Sequence, residues 1–277
     1  VDILNVLTVN KGEKISIVGS GGKTTLMFIL AEELKKRGRV LITTTTKIYL
    51  PKRNQYNCLI LKDNFEDYFN EESKYILNGN KVYVYYGDVS KTKGLDSEIH
   101  VYGSSITSIN GENKIIGIDD KSISNIFNNY DYILIESDGA KEKPLKAWKD
   151  DEPVVSNFTS KTIGILSGEA LNLKIHDENI HRIDEFIKLT NRRVGDSINE
   201  EDLLAVIFKK DGLFKNSKGR RILFINKVEE EDFKKIEKLI EYITIKNKEL
   251  KLLDRIIVGS LLNKTFRVIY EESREKF

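Results

Sequence analysis

Two groups of residues in this chain have types and spacing suited to phosphate chemistry. Gly19-Ser20-Gly21-Gly22-Lys23-Thr24-Thr25 follows the short apolar run 15–18 and opens an amphipathic stretch. Glycines let backbone N–H groups converge on an anion, and a helix starting there adds its positive end. Lys23 is placed to reach the outer phosphates of a nucleotide, and Thr24 to present a hydroxyl to Mg²⁺. The second group is Glu136 and Asp138, which end the apolar run 132–135. Residues two apart on an extended chain point to one side, so both carboxylates face the same space. A carboxylate taken out of water needs a cation or a full set of donors, and Mg²⁺ on a nucleotide answers that need. One would bind the ion and the other orient a nucleophile. Asp138-Gly139 is also an ordinary turn pair, an explanation that does not extend to Glu136.

Further polar residues fall at the ends of apolar runs, where open α/β sheets bind ligands. Thr43 to Thr46 and Lys47 close the run 40–42, and Thr45, Thr46 and Lys47 are candidate contacts to phosphate or to Mg²⁺-bound water. Threonine is also simply a good strand former. Lys141, Lys143 and Lys146 either face an anionic ligand or form a solvated loop. Asn226 and Lys227, with Glu229, resemble the N-K-x-D element that reads guanine in GTPases, with Glu in place of Asp. A polar strand exit before a helix is the simpler account, and even then Asn226 and Lys227 would flank a base without selecting it. Gly259 and Ser260 would close the same rim. The loop has the spacing G-x-x-G-K-T, two residues shorter than the common phosphate loop, and resembles that of Mur ligases and folylpolyglutamate synthetases.

To position these residues the chain must alternate strands and helices. Apolar runs at 15–18, 40–45, 58–61, 81–85, 132–136, 162–166, 221–226 and 256–259 read as strands, several of them continuously apolar, as in strands buried on both faces. Helical periodicity follows at 183–189, 200–208 and, most clearly, 229–248. The expected class is therefore α/β: a mostly parallel, P-loop NTPase-like sheet flanked by helices in a single domain, 1–277. Glycines punctuate 87–119, and Asn110-Gly111 is a hairpin-turn pair, so that stretch reads as an antiparallel insertion.

Composition narrows the class. The 277 residues include 45 Lys and Arg against 43 Asp and Glu, a net charge of +2, which argues against a dedicated nucleic-acid binder. No apolar run reaches the ~20 residues of a membrane span, and no signal peptide is visible, so the expected setting is the cytoplasm. The single Cys58 excludes an internal disulfide, and its place early in an apolar run reads as buried packing. Three histidines are too few and badly spaced for an obvious zinc site.

Taken together, G-S-G-G-K-T-T at 19–25, T-T-T-T-K-I at 43–48, E-S-D-G-A-K at 136–141 with P-L-K at 144–146, and E-N-I-H-R at 178–182 resemble the YqeC family, described as accessory proteins of selenium-dependent hydroxylases. The resemblance implies a nucleotide-binding protein tied to maturation of selenium-dependent molybdenum hydroxylases. Its implied partner is such a hydroxylase, or a protein donating selenium or molybdenum cofactor. Carried over residue by residue, it implies Lys23 and Thr24 for ATP or GTP, Glu136 and Asp138 for Mg²⁺ or water, and His181 with Arg182 as a substrate edge. Three classes of function follow as expectations: an NTP-hydrolysing accessory factor, a Mur-ligase-like ligase or kinase acting on a small anionic acceptor, and a scaffold that binds nucleotide for stability alone.

Overall fold

Continuous apolar runs suit strands covered on both faces, and here they build one sheet. The computed structural model describes residues 2–62, 75–77, 80–86 and 98–272. In chain order the strands are β1 (Lys14–Gly19), β2 (Val40–Thr44), β3 (Lys47–Tyr49), β4 (Cys58–Leu61), β5 (Tyr75–Leu77), β6 (Asn80–Tyr86), β7 (Ile99–Gly103) and β8 (Ile106–Ile109). They continue with β9 (Glu112–Ile116), β10 (Tyr132–Glu136), β11 (Leu145–Lys146), β12 (Lys161–Ser167), β13 (Ile180–His181), β14 (Arg220–Asn226), β15 (Arg255–Ser260) and β16 (Thr265–Glu271). The helices are α1 (Ile3–Val6), α2 (Lys23–Leu34), α3 (Asp120–Ile126), α4 (Ile183–Thr190), α5 (Glu200–Phe208) and α6 (Phe233–Leu250).

Eleven strands form the main sheet in the order β16-β15-β14-β12-β1-β10-β2-β7-β4-β6-β5. Its edges β16 and β5 run antiparallel to their neighbours, and every pairing between them is parallel. Side chains alternate between two cores. Ile222 and Phe224 of β14 join the layer under α1 and α2, whereas Leu223 and Ile225 join the layer under α4, α5 and α6. A third cluster seats α3 on β2, β4 and β10 through Ile123 and Ile126.

The expected strands are present with ends shifted by a residue or so, β2 stopping at Thr44. The long helix begins at Phe233 rather than at Glu229, because a 3₁₀ turn over Glu230–Asp232 precedes it. The stretch 87–119 divides. Residues 87–97 lie outside the described residues, and β7 is no insertion but a parallel strand between β2 and β4. The antiparallel hairpin is β8–β9, turning at Asn110 and Gly111, both at positive φ, and β3 pairs with β9 to extend it to three strands. Among the described residues no helix is long and apolar enough to cross a membrane.

Candidate functional site

The parallel strands β1, β2, β10, β12 and β14 put their carboxyl ends on one side of the sheet. Beyond them lies a cavity of about 720 Å³ that reaches from the glycine loop to Tyr49, Arg182 and Lys227. β1 sits between β10 and β12, so the loop leaving it rises where the sheet offers a crevice.

Gly19, Gly21 and Gly22 all have positive φ, at 98°, 86° and 132°. A Cβ on Gly21 would lie 2.7 Å from the Cβ of Ser167, so glycine is required there for contact as well as conformation. The loop runs directly into α2, whose N-cap, Gly22, provides no side-chain hydrogen bond to the first turn. The amides of that turn are therefore left to water or to an anion. Gly21, Gly22, Lys23, Thr24 and Thr25 line the cavity. Ser20 does not: its hydroxyl donates to the carbonyl of Pro144 at 3.0 Å, tying the loop to the segment after β10.

Glu136 and Asp138 both approach the loop but stand in different surroundings. Glu136 is buried on the cavity wall, and its Oε2 accepts a hydrogen bond from the Thr24 hydroxyl at 2.9 Å. Burial raises its pKa above the ordinary carboxylate value; Lys23 and the Thr24 hydrogen bond oppose the rise without cancelling it. Asp138 is wholly buried beneath the loop. It accepts from the Gly19 amide at 3.1 Å and the Trp148 indole at 2.7 Å, and pairs with Lys146 at 3.1 Å and Lys23 at 3.3 Å. Burial pushes its pKa up, but Lys23, Lys146, the indole and the amide outweigh that and hold it below the usual range. Asp138, expected beside Glu136 as a metal ligand, does not line the cavity: its Oδ2 takes the amide, the indole and Lys146, while its buried Oδ1 has no hydrogen-bond partner among the described residues and faces Lys23. Lys23 donates to the Gly19 carbonyl at 2.7 Å, and it reaches the cavity as well.

Thr24 and Glu136 give two hard oxygens side by side, and Glu136 is a buried carboxylate whose charge lacks full compensation. Both facts fit Mg²⁺, which takes one or two protein oxygens and completes its shell with phosphate and water. Among the described residues no cluster of three or more Asp, Glu, His or Cys could hold a metal unaided.

Of the threonine run, Thr46 and Lys47 line the cavity, whereas the Thr45 hydroxyl donates to the Val154 carbonyl at 2.6 Å. Lys141 lines it too, in a left-handed conformation shared with Glu142. His181 and Arg182 arrive by a route the sequence did not reveal. Leu145 and Lys146 pair in parallel with Ile180 and His181, so β11 and β13 bring two distant motifs together. Arg182 is held by Glu152 at 2.9 Å. Burial, helped by Lys146 and Arg182, lowers the His181 pKa from 6.5 to about 4, so the ring is neutral near pH 7.

On the β14 side, Lys227 lines the cavity and pairs with Glu169 at 2.7 Å. Asn226 is buried; its amide donates to the Gly21 carbonyl at 2.6 Å and accepts from the Leu261 amide at 3.0 Å. It braces the loop instead of presenting itself to a base, which corrects the expectation for this residue. Glu229 accepts from Ser260 at 2.7 Å and from Asn263, so its carboxylate is likewise engaged within the rim. Lys146, expected on a solvated loop or facing an anionic ligand, is instead fully buried against Asp138. Trp148, Glu152, Tyr49 and Lys114 were not singled out from sequence, and the one signal for Trp148 was its place just after the P-L-K motif.

A family model described as YqeC protein matches residues 15–184. The chain belongs to the YqeC family. A curated relative, the uncharacterized protein YqeC of Escherichia coli (strain K12), is 31% identical over 218 residues, covering 77% of this chain and 75% of that protein. The family match contains the loop, Glu136, Asp138, the β11–β13 pair and the hairpin wall; Asn226 and Lys227 lie beyond it.

Proposed function

We propose that this chain binds ATP or GTP with Mg²⁺ at the glycine loop and hydrolyses it as an accessory factor in maturation of selenium-dependent molybdenum hydroxylases. The observation that carries the nucleotide reading is the pair of Thr24 and Glu136, 2.9 Å apart at the uncapped start of α2 and open to the cavity. The triphosphate would lie on the amides of Gly21 to Thr25, with Lys23 turning from the Gly19 carbonyl toward its outer phosphates. Thr24 and Glu136 would hold Mg²⁺, which when bound neutralises charge on the phosphates. Asp138 keeps Lys146, Trp148 and the Gly19 amide as partners while Lys23 moves, so the loop retains its support. The link to hydroxylase maturation rests on family membership and on the motif resemblance.

Trp148 is the chain's one tryptophan and donates to Asp138, which faces Lys23. Titration with Mg-ATP and Mg-GTP should therefore change tryptophan fluorescence and raise the melting temperature. Lys23→Ala should abolish both responses. An unaltered response in that variant would defeat the reading. Release of phosphate above the blank separates hydrolysis from binding for stability alone.

A ligase or kinase of Mur-ligase type is the second reading. It is favoured by the extent of the cavity, which continues past the loop to Tyr49 and Arg182 and leaves room for an acceptor. Turnover that requires an acceptor would select it over slow intrinsic hydrolysis.

A further inference from the structure

The cavity has two sides that differ in chemistry. With β1 as the centre, β12 and β14 lead to Asn226 and Lys227, whereas β10 and β2 lead to Lys47 and Tyr49. A triphosphate lying on the loop leaves the second side open. Its wall is built by elements outside the main sheet, the three-stranded β3–β9–β8 hairpin sheet and the β11–β13 pair.

That wall combines an aromatic face with cations. Ile48, Tyr49 and Ile109 line it, and Tyr49 is 36% exposed. Lys114 lies over the Tyr49 ring, its Nζ 4.2 Å from the centroid. Lys47, Lys141 and Arg182 also face the cavity. Lys47 and Lys141 have no carboxylate partner among the described residues. Arg182 is fixed by Glu152, and its buried Nε has no hydrogen-bond partner. Glu142 and Glu152 line the same cavity, Glu152 spent on Arg182, so the basic side chains outnumber the acidic ones on this wall; a flat aromatic ring beside them is the complement of a planar ring that carries negative charge.

We infer that the side of the cavity bounded by Tyr49, Lys114 and Arg182 binds a second small molecule, a planar ring bearing a phosphate or carboxylate, at the same time as the nucleotide. The ring stacks on Tyr49, and its anionic group meets Arg182 and the neighbouring lysines. This rests on the placement of the nucleotide at the glycine loop proposed above. It adds a second ligand that the loop does not require.

The test uses the full chain saturated with Mg²⁺ and a non-hydrolysable ATP or GTP analogue, titrated by calorimetry with four probes. Flavin mononucleotide and GMP are ring phosphates, riboflavin is a ring without phosphate, and inorganic phosphate is an anion without a ring. At least one ring phosphate should bind once per chain, about tenfold or more tighter than either control. Tyr49→Ala should weaken that binding about tenfold, as loss of one stacking contact does, and Tyr49→Phe should restore it. Arg182→Gln should weaken it by at least as much. Tyr49 is exposed, so its removal takes little from the core, and Tyr49→Ala should bind the analogue as the parent does. Ring phosphates that bind no tighter than inorganic phosphate, that are displaced by the analogue, or that ignore both substitutions would overturn the inference. Should the analogue itself fail to bind, the nucleotide reading falls on its own, and the same four titrations without analogue still decide the second site.

Discussion

A carboxylate removed from water must find a cation or give up its charge, and Glu136 and Asp138 meet that demand in opposite ways. Asp138 has two lysines and two N–H donors, and its pKa falls. Glu136 has the charge of Lys23 and one hydroxyl, which do not offset its burial, and its pKa rises. In the reading proposed above, Asp138 holds the lysines beneath the loop, whereas Glu136, whose charge is less compensated, is the residue proposed to take a cation. Asp138→Asn should destabilise the fold by about 3 kcal/mol, because it takes from buried Lys146 its nearer counter-charge and leaves it only Glu152 at 3.9 Å. Glu136→Gln should leave stability at pH 7 unchanged or slightly higher, since the wild-type ionised form is disfavoured by burial. The same substitution should remove most of the Mg²⁺ dependence of nucleotide binding. Urea unfolding of both variants, with Mg²⁺ titrations of nucleotide affinity at pH 7 and pH 5, checks the contrast. Wild-type Mg²⁺ affinity should fall as pH drops toward the raised pKa of Glu136, because only the ionised carboxylate holds the metal. Loss of this pH dependence in the Gln variant is the expected signature.

At the scale of elements, the loop is held from both sides, by Ser20 on the Pro144 carbonyl and by Asn226 on the Gly21 carbonyl. Asn226→Ala removes the second brace. It should weaken ATP and GTP binding alike, by about tenfold, with the preference between them unchanged. Parallel titrations of the two nucleotides read this directly, and a changed preference would restore Asn226 to base recognition. The elements themselves were largely legible in the sequence. Runs such as 58–61 and 132–136 are short, apolar and bounded by polar residues, and strands buried on both faces leave that mark. β7 escaped because Ile99–Gly103 holds His100 and ends in glycine among other glycines, a composition that looks like a loop. Its place inside the sheet becomes visible only when His100 is seen buried and bonded to Tyr130 at 2.9 Å. The β11–β13 pair escaped for a different reason. Two residues carry no periodicity, and the contact that joins Lys146 to His181 spans more than thirty residues of chain. Glu136 was legible as a buried acid, while the burial of Asp138 depends on Trp148 and Lys146 folding back over it, which spacing alone does not encode.

For the molecule as a whole, the two histidines buried in it set a pH limit on stability. His100 lies in β7 near one end of the sheet and His181 on the cavity wall, and burial is the main cause that lowers each pKa from 6.5 to about 4. Arg39 adds to the effect at His100, and Lys146 and Arg182 at His181, with Glu152 opposing there. Between about pH 6.5 and pH 4 the unfolded chain therefore binds protons at these positions that the folded chain refuses. Stability rises with pH wherever the unfolded state holds more protons, so the contribution is complete above pH 6.5 and is lost as pH falls toward 4. Glu136 and Glu98, whose pKa values burial raises, act in the opposite sense, since the folded state takes up their protons first. Their effect makes the wild-type slope a sum, so the histidine part is read by difference. Each histidine contributes at most about 1.4 kcal/mol per pH unit within its window. A variant carrying His100→Asn and His181→Asn should lose less stability between pH 7 and pH 5 than the parent, even if it is less stable at pH 7. Urea unfolding at the two pH values measures this, and an identical slope in both proteins would mean that the two imidazoles accept protons in the folded state as readily as in water.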